Sequence, residues 1–496
     1  MTTMLSLAQA ARLVPGAVVI GDDSTVFDRI GTDSRTTGPG ELFVALKGDR
    51  FDAHAFLPDV AARGASAVVA THVPDGWPVP ALIVPDTRAA LGALARGWRS
   101  RFSLPLVAVT GSNGKTTVKE MIASIFVQAV GESARLATAG NFNNDVGLPL
   151  TLLRLNSTHR LAVIEVGMNH PGETDVLAKI ALPTIALVNN AQREHQEFMA
   201  TVEAVALEHA SVIHALPADG TAVFPADDAY AGIWRVAATG NRIVDFALED
   251  ASQGGAASTA AVKGVLQGNR LRVHTPMGEF AVTLPVLGEH NARNALAATA
   301  AAIAANVSLD AIARGLEAFS PVKGRLQTKR AVVGALAGAT VIDDTYNANP
   351  DSMRAAVDVL AARAAPRVLV MGDMGEVGDN GPAFHREVGA YARERGIDLL
   401  LALGDATRDA CAAFDAAKPA EAGAGLVAGT GSDSGQRQAR HFEDASALID
   451  YLLQASIGAS ATLLVKGSRF MRMERVVDAL TAQQPPVVPG AVPGTH

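Results

Sequence analysis

Residues 106–117 read Leu-Val-Ala-Val-Thr-Gly-Ser-Asn-Gly-Lys-Thr-Thr, and they predict a parallel strand that turns into a helix around a phosphate-binding loop. The aliphatic half is typical of a strand buried on both faces of a sheet. In the loop, glycines let successive backbone N–H groups point into one concavity, and the helix adds its positive end. Lys115 can place a charge on the β- and γ-phosphates, and the Thr116 hydroxyl can reach Mg²⁺. The predicted nucleotide contacts are Thr110, Gly111, Ser112, Asn113, Gly114, Lys115, Thr116 and Thr117.

The loop is a shortened form of the usual pattern, which has another glycine five residues before Gly114. Val109 occupies that position here. A plain glycine turn with a solvated lysine is therefore an alternative interpretation of the spacing. The strand before the loop and the helix predicted at residues 116–130 favour nucleotide binding.

The composition of the 496 residues indicates several domains with aliphatic cores. Hydrophobic residues make up 49% and aromatic residues only 5%, a mixture that suits helices packed on parallel sheets. The net charge of −8 and the lack of a Lys/Arg cluster predict no nucleic-acid partner. Cys411 is the single cysteine, which excludes an intrachain disulfide and suits a reducing compartment. Because we find neither a signal peptide nor a membrane-spanning run, we expect a cytoplasmic protein without a membrane span.

Strands alternate with helices along the chain, which predicts an α/β fold of three domains. We expect a small N-terminal α/β domain at residues 1–86, a central parallel-sheet P-loop domain at 87–320 and a Rossmann-like α/β domain at 321–482. The Ala-, Gly- and Ser-rich stretch 416–437 is predicted to be a surface excursion, and the Pro- and Gly-rich tail 483–496 to be disordered.

Two further side chains follow apolar strands of the central domain. Glu165 lies in the strand predicted at residues 161–166, where a carboxylate beside a phosphate loop can hold Mg²⁺. A glutamate facing solvent is the alternative. His195 follows the strand predicted at residues 185–189 and can be a second metal ligand, or merely an exposed loop histidine. The catalytic candidates are Lys115, Glu165 and His195, and the metal candidates are Thr116, Glu165 and His195.

Amide-rich turns and basic motifs provide candidate substrate contacts. The amides of segment 138–147 suit diphosphate or sugar recognition, and the acids and amides of turn 343–350 can hold ribose hydroxyls or a substrate ammonium. Ordinary turn and helix-capping chemistry explains both segments as well. The glycine-framed cations of motifs 323–326 and 466–469 are candidates for binding carboxylate or phosphate, and solvated charges are the alternative.

The order of these motifs resembles that of the Mur ligases of peptidoglycan precursor synthesis. The resemblance covers nearly the whole chain, from Asp33-Ser-Arg35 to Met471-Arg-Met-Glu474. Gly-Lys-Thr alone is a weak signal. Its combination with four further motifs is specific, and these are Asn141-Phe-Asn-Asn144, Glu165-Val-Gly-Met-Asn-His170, His290-Asn291 and Asp344-Thr-Tyr-Asn-Ala-Asn349.

The resemblance implies roles for the candidate residues. It assigns the ATP phosphates to Lys115 and Thr116, with Mg²⁺ near Glu165 and His195. The UDP part of the substrate would contact Ser34, Arg35, Phe43 and Lys47. The other nucleotide contacts would be Asn291, Asn294, Arg325 and Asp344. The resemblance makes Asn347, Asn349, Lys466 and Arg469 candidates for binding the incoming dipeptide or the reacting phosphoryl group. The residue types of the two amide-rich turns add Thr138, Asn141, Asn143, Asn144 and Tyr346 as candidate substrate contacts.

The activity implied by the resemblance is amide formation driven by ATP. The terminal carboxylate of UDP-N-acetylmuramoyl-tripeptide attacks the γ-phosphate to give an acyl phosphate and ADP, and the amine of D-alanyl-D-alanine then displaces phosphate. This chemistry needs charge neutralisation and alignment of the substrates rather than a covalent protein nucleophile. We expect a monomer that uses ATP and Mg²⁺.

Two alternative functions are compatible with the sequence. A related ligase could add a single amino acid, as the preceding Mur ligase and folylpolyglutamate synthase do. No counterpart of the basic motif that reads diaminopimelate is found, and the motif at residues 33–54 is unlike a folate enzyme. The other class is a nucleotide-gated binding protein without ligase chemistry, against which the joint occurrence of Lys115, Glu165 and His195 argues.

One position departs from the family pattern. Many relatives carry a lysine, often carbamylated, and a glutamate two residues later, in the helix after the His195 motif. Counted from that motif, these positions are His209 and Ser211 here. Since a carbamyl-lysine cannot form at His209, a second metal site would have to use Glu208 or His209, or be absent.

Overall fold

The computed structural model describes residues 3–48, 51–249, 258–417 and 437–482. Helices and strands alternate in these ranges, so the predicted α/β class is confirmed. The chain divides into two compact units, of which the first contains residues 1–191, 203–284 and 292–319, and the second contains residues 192–202, 285–291 and 320–496. The predicted surface excursion, apart from residues 416, 417 and 437, and the predicted tail lie outside the described residues.

Short strands and helices form the N-terminal part of the first unit. They are β1 (Leu5–Ser6), α1 (Leu7–Leu13), β2 (Val18–Ile20), β3 (Val26–Phe27), β4 (Arg29–Gly31), β5 (Glu41–Val44), β6 (Lys47–Gly48), β7 (Phe51–Asp52), α2 (Leu57–Ala62), β8 (Ala67–Ala70), β9 (Ala81–Ile83) and α3 (Thr87–Arg99). The main sheet has the order β2-β9-β8-β5-β4 and is parallel apart from β2. The middle strands β5 and β8 are fully buried, which explains the aliphatic sequence of β8 and the Leu-Phe-Val run of β5.

A six-stranded parallel sheet forms the centre of the first unit. Its elements are β10 (Leu106–Thr110), α4 (Lys115–Val130), β11 (Arg135–Ala137), α5 (Gly147–Leu152), β12 (Leu161–Glu165), α6 (Glu173–Ala181), β13 (Ile185–Val188), α7 (Val202–His214), β14 (Thr221–Val223), α8 (Ala231–Ala237) and β15 (Arg242–Ile243). The order is β11-β12-β10-β13-β14-β15. The bounds predicted for β10, α4, β12 and β13 are confirmed to within one residue. Because β12 and β13 flank β10, the residues that end these three strands meet at one edge of the sheet.

A four-stranded sheet and two helices form the rest of the first unit, except that residues 289–291 at the start of α9 belong to the second unit. They are β16 (Phe246–Glu249), β17 (Val262–Gln267), β18 (Arg270–Thr275), β19 (Gly278–Thr283), α9 (Glu289–Ala304) and α10 (Leu309–Ala318). Helix α10 packs against α4, and the Ser124 hydroxyl donates to the Gly315 carbonyl across this contact at 2.7 Å.

The second unit is a doubly wound α/β domain. Its elements are β20 (Gln327–Arg330), β21 (Thr340–Asp344), α11 (Pro350–Ala361), β22 (Arg367–Gly372), α12 (Gly381–Glu394), β23 (Leu399–Leu403), α13 (Thr407–Ala416), β24 (Gln438–Phe442), α14 (Ala445–Gln454), β25 (Thr462–Lys466) and α15 (Glu474–Thr481). The order is β20-β21-β25-β22-β23-β24, with β20 antiparallel. Successive residues alternate between two hydrophobic cores, as Leu463 and Leu464 do, because helices cover both faces. Among the described helices of the whole chain, none is long and apolar enough to span a membrane.

Candidate active site

The loop after β10 requires glycine at two positions. Gly111 has a φ of +132° and Gly114 a φ of +82°, which side chains other than glycine rarely adopt. A Cβ atom at Gly114 would also lie 2.5 Å from Asn294 Oδ1 and 2.7 Å from Asn189 Nδ2. The glycines therefore serve both the turn and the close approach of the neighbouring amides.

Asparagine side chains hold this loop from the outside. The Asn113 N–H donates to Asn190 Oδ1 at 2.9 Å, and Asn189 Nδ2 donates to the Asn113 carbonyl at 2.8 Å and to Asn294 Oδ1 at 2.9 Å. The structure thus brings the predicted contact Asn294 to the loop. Asn189 and Asn190 were not among the predicted site residues, although two amides directly after a buried strand are a local signal that could have found them.

Lys115 begins α4 and folds back over the loop. Its ammonium donates to the carbonyls of Gly111 and Ser112, the latter at 3.2 Å, so the charge lies in the concavity of the loop. Thr116 and Thr117 are nearly buried in the first turn. The helix has no side-chain cap at this end. Its first backbone N–H groups and the ammonium can therefore address a phosphate group.

Glu165 is a buried carboxylate at the end of β12. Asn143 Nδ2 donates to its Oε1 at 2.7 Å, and its backbone N–H donates to Thr138 Oγ1 at 3.0 Å. Oε2 is buried and has no hydrogen-bond partner. A divalent cation is the kind of partner that such an oxygen lacks, so the chemistry of Glu165 suits the Mg²⁺ role predicted for it. In the described ranges, no three His, Cys, Asp or Glu side chains form a preassembled metal cluster.

The amide segment before α5 contains an exposed amide and an amide with a structural hydrogen bond. Asn144 Oδ1 accepts from the Gly147 N–H at 2.9 Å, and Asn141 is exposed.

Lys119 is a buried polar residue that was not among the predicted site residues. It is fully buried in α4, donates to the Thr138 carbonyl at 2.9 Å and pairs with Glu120. Lysine is rarely buried, so the apolar face of a helix is expected to contain none. A lysine on that face of α4 is the only sequence signal for a special role of Lys119.

The position that departs from the family pattern is occupied by a core histidine. His209 is fully buried, and its Nδ1 lies 3.0 Å from Thr110 Oγ1, at the end of the strand that enters the phosphate loop. Glu208 accepts from the backbone N–H groups of Gly172 and Thr174, both at 2.9 Å. Both side chains thus have structural partners, His209 on the loop strand and Glu208 at the start of α6.

The N-terminal candidates differ in accessibility. Arg35 is exposed and donates to the Asp33 carboxylate at 2.7 Å and 2.9 Å, which lowers the pKa of Asp33 to about 2. Lys47 is exposed and Ser34 is partly buried, so both can meet a ligand. Phe43 instead lies in the core of the N-terminal sheet with no exposed surface. Its predicted substrate role is therefore limited to backbone atoms.

His195 packs within the second unit. Its φ of +47° is in the left-handed region, and its side chain is largely buried. Nδ1 lies 2.7 Å from Glu376 Oε2, a contact that is close but not aligned as a hydrogen bond. Glu376, whose own φ is +58°, was not predicted.

Lys466 organises the turn after β21. Its ammonium lies 2.7 Å from Asp344 Oδ2 and donates to the Asn347 carbonyl at 2.8 Å, and it is almost completely buried. The other Asp344 oxygen accepts from the Leu326 N–H at 3.2 Å. Three predicted residues, Asp344, Asn347 and Lys466, are thus brought together, with Asp344 already engaged by a cation.

The other predicted residues of the turns and basic motifs in the second unit have three different environments. Arg325 stacks on the Tyr346 ring at 4.1 Å, and its Nε is buried without a hydrogen-bond partner. Asn349 caps α11 in a reciprocal box with Ser352, which confirms the predicted capping role of this turn. Arg469 is exposed and pairs with Glu474 at 3.0 Å.

The residues that begin α9 also belong to the second unit. Asn291 is buried and donates to the Leu287 carbonyl at 2.8 Å. Burial lowers the pKa of His290 to about 4, so this imidazole is neutral at physiological pH.

A strand–glycine loop–helix unit beside a buried carboxylate, on a chain that also carries a doubly wound domain, defines a class of ATP-binding α/β enzymes. The chain belongs to the Mur ligase family. Family models match residues 26–99 (Mur ligase family, catalytic domain), 109–302 (Mur ligase middle domain) and 324–469 (Mur ligase, glutamate ligase domain).

Curated relatives and solved structures cover nearly the whole chain. The UDP-N-acetylmuramoyl-tripeptide–D-alanyl-D-alanine ligases of Haemophilus influenzae and Escherichia coli are each 39% identical, over 96% of this chain and 98% of their own. MurF from Acinetobacter baumannii is 33% identical with a TM-score of 0.83, over 97% of this chain and 99% of its own. MurF ligase from Thermotoga maritima, solved with ADP, is 23% identical with a TM-score of 0.74 over 91% of this chain and 96% of its own, which shows the fold alone. The predicted three-domain α/β organisation is confirmed.

Proposed function

We propose that the protein is an ATP-dependent ligase that joins D-alanyl-D-alanine to UDP-N-acetylmuramoyl-tripeptide, giving the pentapeptide precursor of peptidoglycan, ADP and phosphate. The observation that carries the proposal is the near-full-length identity to ligases of this name, on a chain whose own residues form the phosphate loop and the buried carboxylate beside it. As part of the proposal, the protein acts in the cytoplasm as a monomer.

The reaction needs two displacements on substrate atoms. A carboxylate oxygen of the tripeptide attacks the γ-phosphorus while the bond to the β-phosphate oxygen breaks, which gives the acyl phosphate and ADP. The dipeptide amine then attacks the acyl carbon, the bond to phosphate breaks, and the amine releases a proton. Neither step requires a covalent protein nucleophile.

The side chains of the first unit suit the first displacement. Lys115 brings its ammonium into the loop, where it would neutralise charge on the β- and γ-phosphates. Glu165 and Thr116 would hold Mg²⁺, which supplies further neutralisation of the phosphates when bound. His195, which belongs to the second unit, stays a prediction as a metal ligand.

The second unit supplies candidate contacts for the second displacement. Lys466 and Asp344 fix the turn that carries Asn347 and Asn349. Asn347 is exposed and can meet a polar group of the dipeptide. Arg325, stacked on Tyr346, offers a second cationic contact in the same unit.

Lys115→Ala tests the proposal. We expect the variant to fold normally and to lose at least about 100-fold in ligation rate, because the charge that neutralises the phosphates is removed. ADP release is measured with the tripeptide nucleotide and D-alanyl-D-alanine together, and with each omitted in turn. Lys179→Ala is the matched control, since Lys179 is exposed on α6 and pairs only with Asp175 among the described residues.

Near-normal ADP release by Lys115→Ala would refute the role of the loop. A panel of acceptor amines tests the substrate assignment separately. Faster turnover with a single amino acid than with the dipeptide would favour the related single-residue ligases, and ADP release without product would favour a nucleotide-gated binding protein.

A further inference from the structure

A single arginine joins the segment 192–202 to two helices of the second unit. The Arg193 guanidinium donates to both oxygens of Asp351, with Nη2–Oδ1 at 2.6 Å and Nε–Oδ2 at 3.1 Å. It also donates to Glu387, with Nη1–Oε2 at 2.7 Å and Nη2–Oε1 at 3.0 Å. The Arg193 backbone N–H adds a bond to Asp351 Oδ2 at 2.9 Å. This arrangement uses the planar fork of arginine fully, which a lysine could not do.

The surroundings of Arg193 enclose most of its side chain and keep the guanidinium charged. The guanidinium lies over the Phe384 ring at 5.2 Å, and the side chain is 22% exposed. The two carboxylates raise the pKa of Arg193 above its already high value, and Arg193 in turn lowers the pKa of Glu387. The positive charge of Arg193 is therefore fixed at any physiological pH.

The segment is also tied on the other side of His195. The Glu197 N–H donates to the Glu376 carbonyl at 3.4 Å, and a Cβ atom at Gly378 would lie 3.4 Å from Glu197 Cα. His195 thus lies between two attachments, one through Arg193 and one through the backbone of Glu376.

The attachment through Asp351 leads to the candidate substrate turn. Asp351 is in the first turn of α11, whose N-terminus is capped by Asn349. One guanidinium therefore connects the backbone of the His195 segment to the helix that carries the Asn347–Asn349 turn. The same covalent segment is joined at both ends to the first unit, at residues 191 and 203, yet it packs with the second.

We infer that Arg193 is a positioning residue for the ligase reaction: it fixes His195 relative to the Asn347–Asn349 turn, so that His195 acts as part of the second unit. This inference rests on the proposed function. Catalytic side chains tolerate displacements of only about 0.5 Å before rates fall. A segment held by backbone alone would not keep that tolerance, whereas a guanidinium bonded to both Asp351 and Glu387 does.

Arg193→Met tests the inference in the full-length protein. We expect kcat for ADP release to fall at least about tenfold, because His195 loses its fixed position, while KM for ATP stays within about twofold. The Mg²⁺ concentration that gives half-maximal rate should rise several-fold, which a purely structural role would not cause. Arg193→Lys should restore part of kcat, since lysine can reach one carboxylate.

Arg354→Met is the matched control. Arg354 donates to the same Glu387 at 3.0 Å and stacks on Tyr391, but both partners belong to helix α12 and none to the His195 segment. Its kcat should stay within about twofold of wild type. Asp351→Asn provides a second route, because it weakens the joint without removing Arg193, and it should lower kcat in the same direction.

The possible outcomes separate the inference from the proposed function. If the wild-type protein makes no product, the proposed function fails first. If wild type is active and Arg193→Met keeps its kcat and Mg²⁺ dependence, the inference is refuted. It is also refuted if Arg354→Met loses as much activity as Arg193→Met, or if Arg193→Lys recovers nothing while its melting temperature equals that of wild type.

Discussion

Glu165 is a single residue whose burial lowers the stability of the fold and suits a role in the candidate site. Its Oε1 is bonded to Asn143, but its Oε2 is buried without a hydrogen-bond partner, in a side chain that is 2% exposed. Leaving a buried charged oxygen unpaired costs roughly 1–3 kcal/mol or more. A buried oxygen without a hydrogen-bond partner at a candidate site points to a ligand that binds to it.

Glu165→Gln should therefore separate activity from stability. We expect kcat to fall at least about 100-fold, because the cation ligand is lost. The free energy of unfolding, measured with a chelator present, should stay unchanged or rise by about 1 kcal/mol, since a neutral amide is easier to bury than a carboxylate. Addition of Mg²⁺ and ADP should stabilise wild type more than the variant.

Glu132→Gln is the control for this comparison, because Glu132 is exposed and pairs with Arg135 at 2.6 Å. It should change neither kcat nor the stabilisation by Mg²⁺ and ADP by more than a small fraction. A Glu165→Gln variant that keeps its kcat, or that Mg²⁺ and ADP stabilise as strongly as wild type, would remove Glu165 from the site.

At the scale of elements, the helix that carries Lys115 depends on a glycine in another helix. A Cβ atom at Gly315 of α10 would overlap the Ile125 backbone of α4, so these helices approach too closely for any side chain. Gly315→Ala should force them apart and lower the free energy of unfolding by about 1–3 kcal/mol. Denaturant unfolding measures this loss.

The same substitution elsewhere provides the control. Gly232 lies in α8, and a Cβ atom there would meet no atom within 4 Å. Gly232→Ala should stabilise the protein by about 0.5–1 kcal/mol, because alanine loses less backbone entropy in a helix. Equal effects of the two substitutions would show that helix propensity, not the approach of α4 and α10, decides the result.

Local elements were predictable from the sequence, whereas the partners of single charges were not. The aliphatic run of β10 and the glycines after it are local signals, and the predicted bounds hold to within one residue. The capping role of Asn349 is equally local. Arg193, in contrast, bonds to residues 158 and 194 positions away, which no window of sequence contains. The fixing of His195 could therefore be found only from the fold.

Buried polar residues were the other limit. Lys119 and His209 lie in the core of the first unit, each with a specific oxygen partner. Patterns of hydrophobicity assign such residues to a solvated face, since polar side chains are rarely buried. The oxygen atoms of Thr138 and Thr110, which only the fold brings close, explain why Lys119 and His209 can be buried.

At the scale of the whole molecule, the two compact units carry different spectroscopic and chemical reporters. All three tryptophans, Trp77, Trp98 and Trp234, belong to the first unit, and the single cysteine, Cys411, belongs to the second. Burial raises the pKa of the Cys411 thiol to about 11, so it reacts slowly while α13 is folded. Tryptophan fluorescence and thiol exposure can therefore follow the unfolding of each unit separately, as a multidomain chain requires.

His290 should make the stability of the second unit depend on pH. Its pKa is lowered to about 4 mainly by burial, among Asp344, Lys466 and Asp358, whereas an unfolded histidine titrates near 6.5. Between about pH 6.5 and about pH 4, His290 binds a proton in the unfolded state but not in the folded state. Stability is therefore complete above about pH 6.5 and is lost as the pH falls towards about 4.

Between about pH 7 and about pH 5, the free energy of unfolding of the second unit should fall by up to about 2 kcal/mol. The fall should be smaller than this upper bound, because His290 is only partly buried. It should appear in the exposure of Cys411 to a thiol reagent that is active in acid. His290→Gln should remove most of this pH dependence, because the amide does not titrate. Tryptophan fluorescence of the same samples is the internal control, since the first unit does not contain His290. If His290→Gln leaves the acid response of Cys411 unchanged, another group of the second unit must be protonated on unfolding.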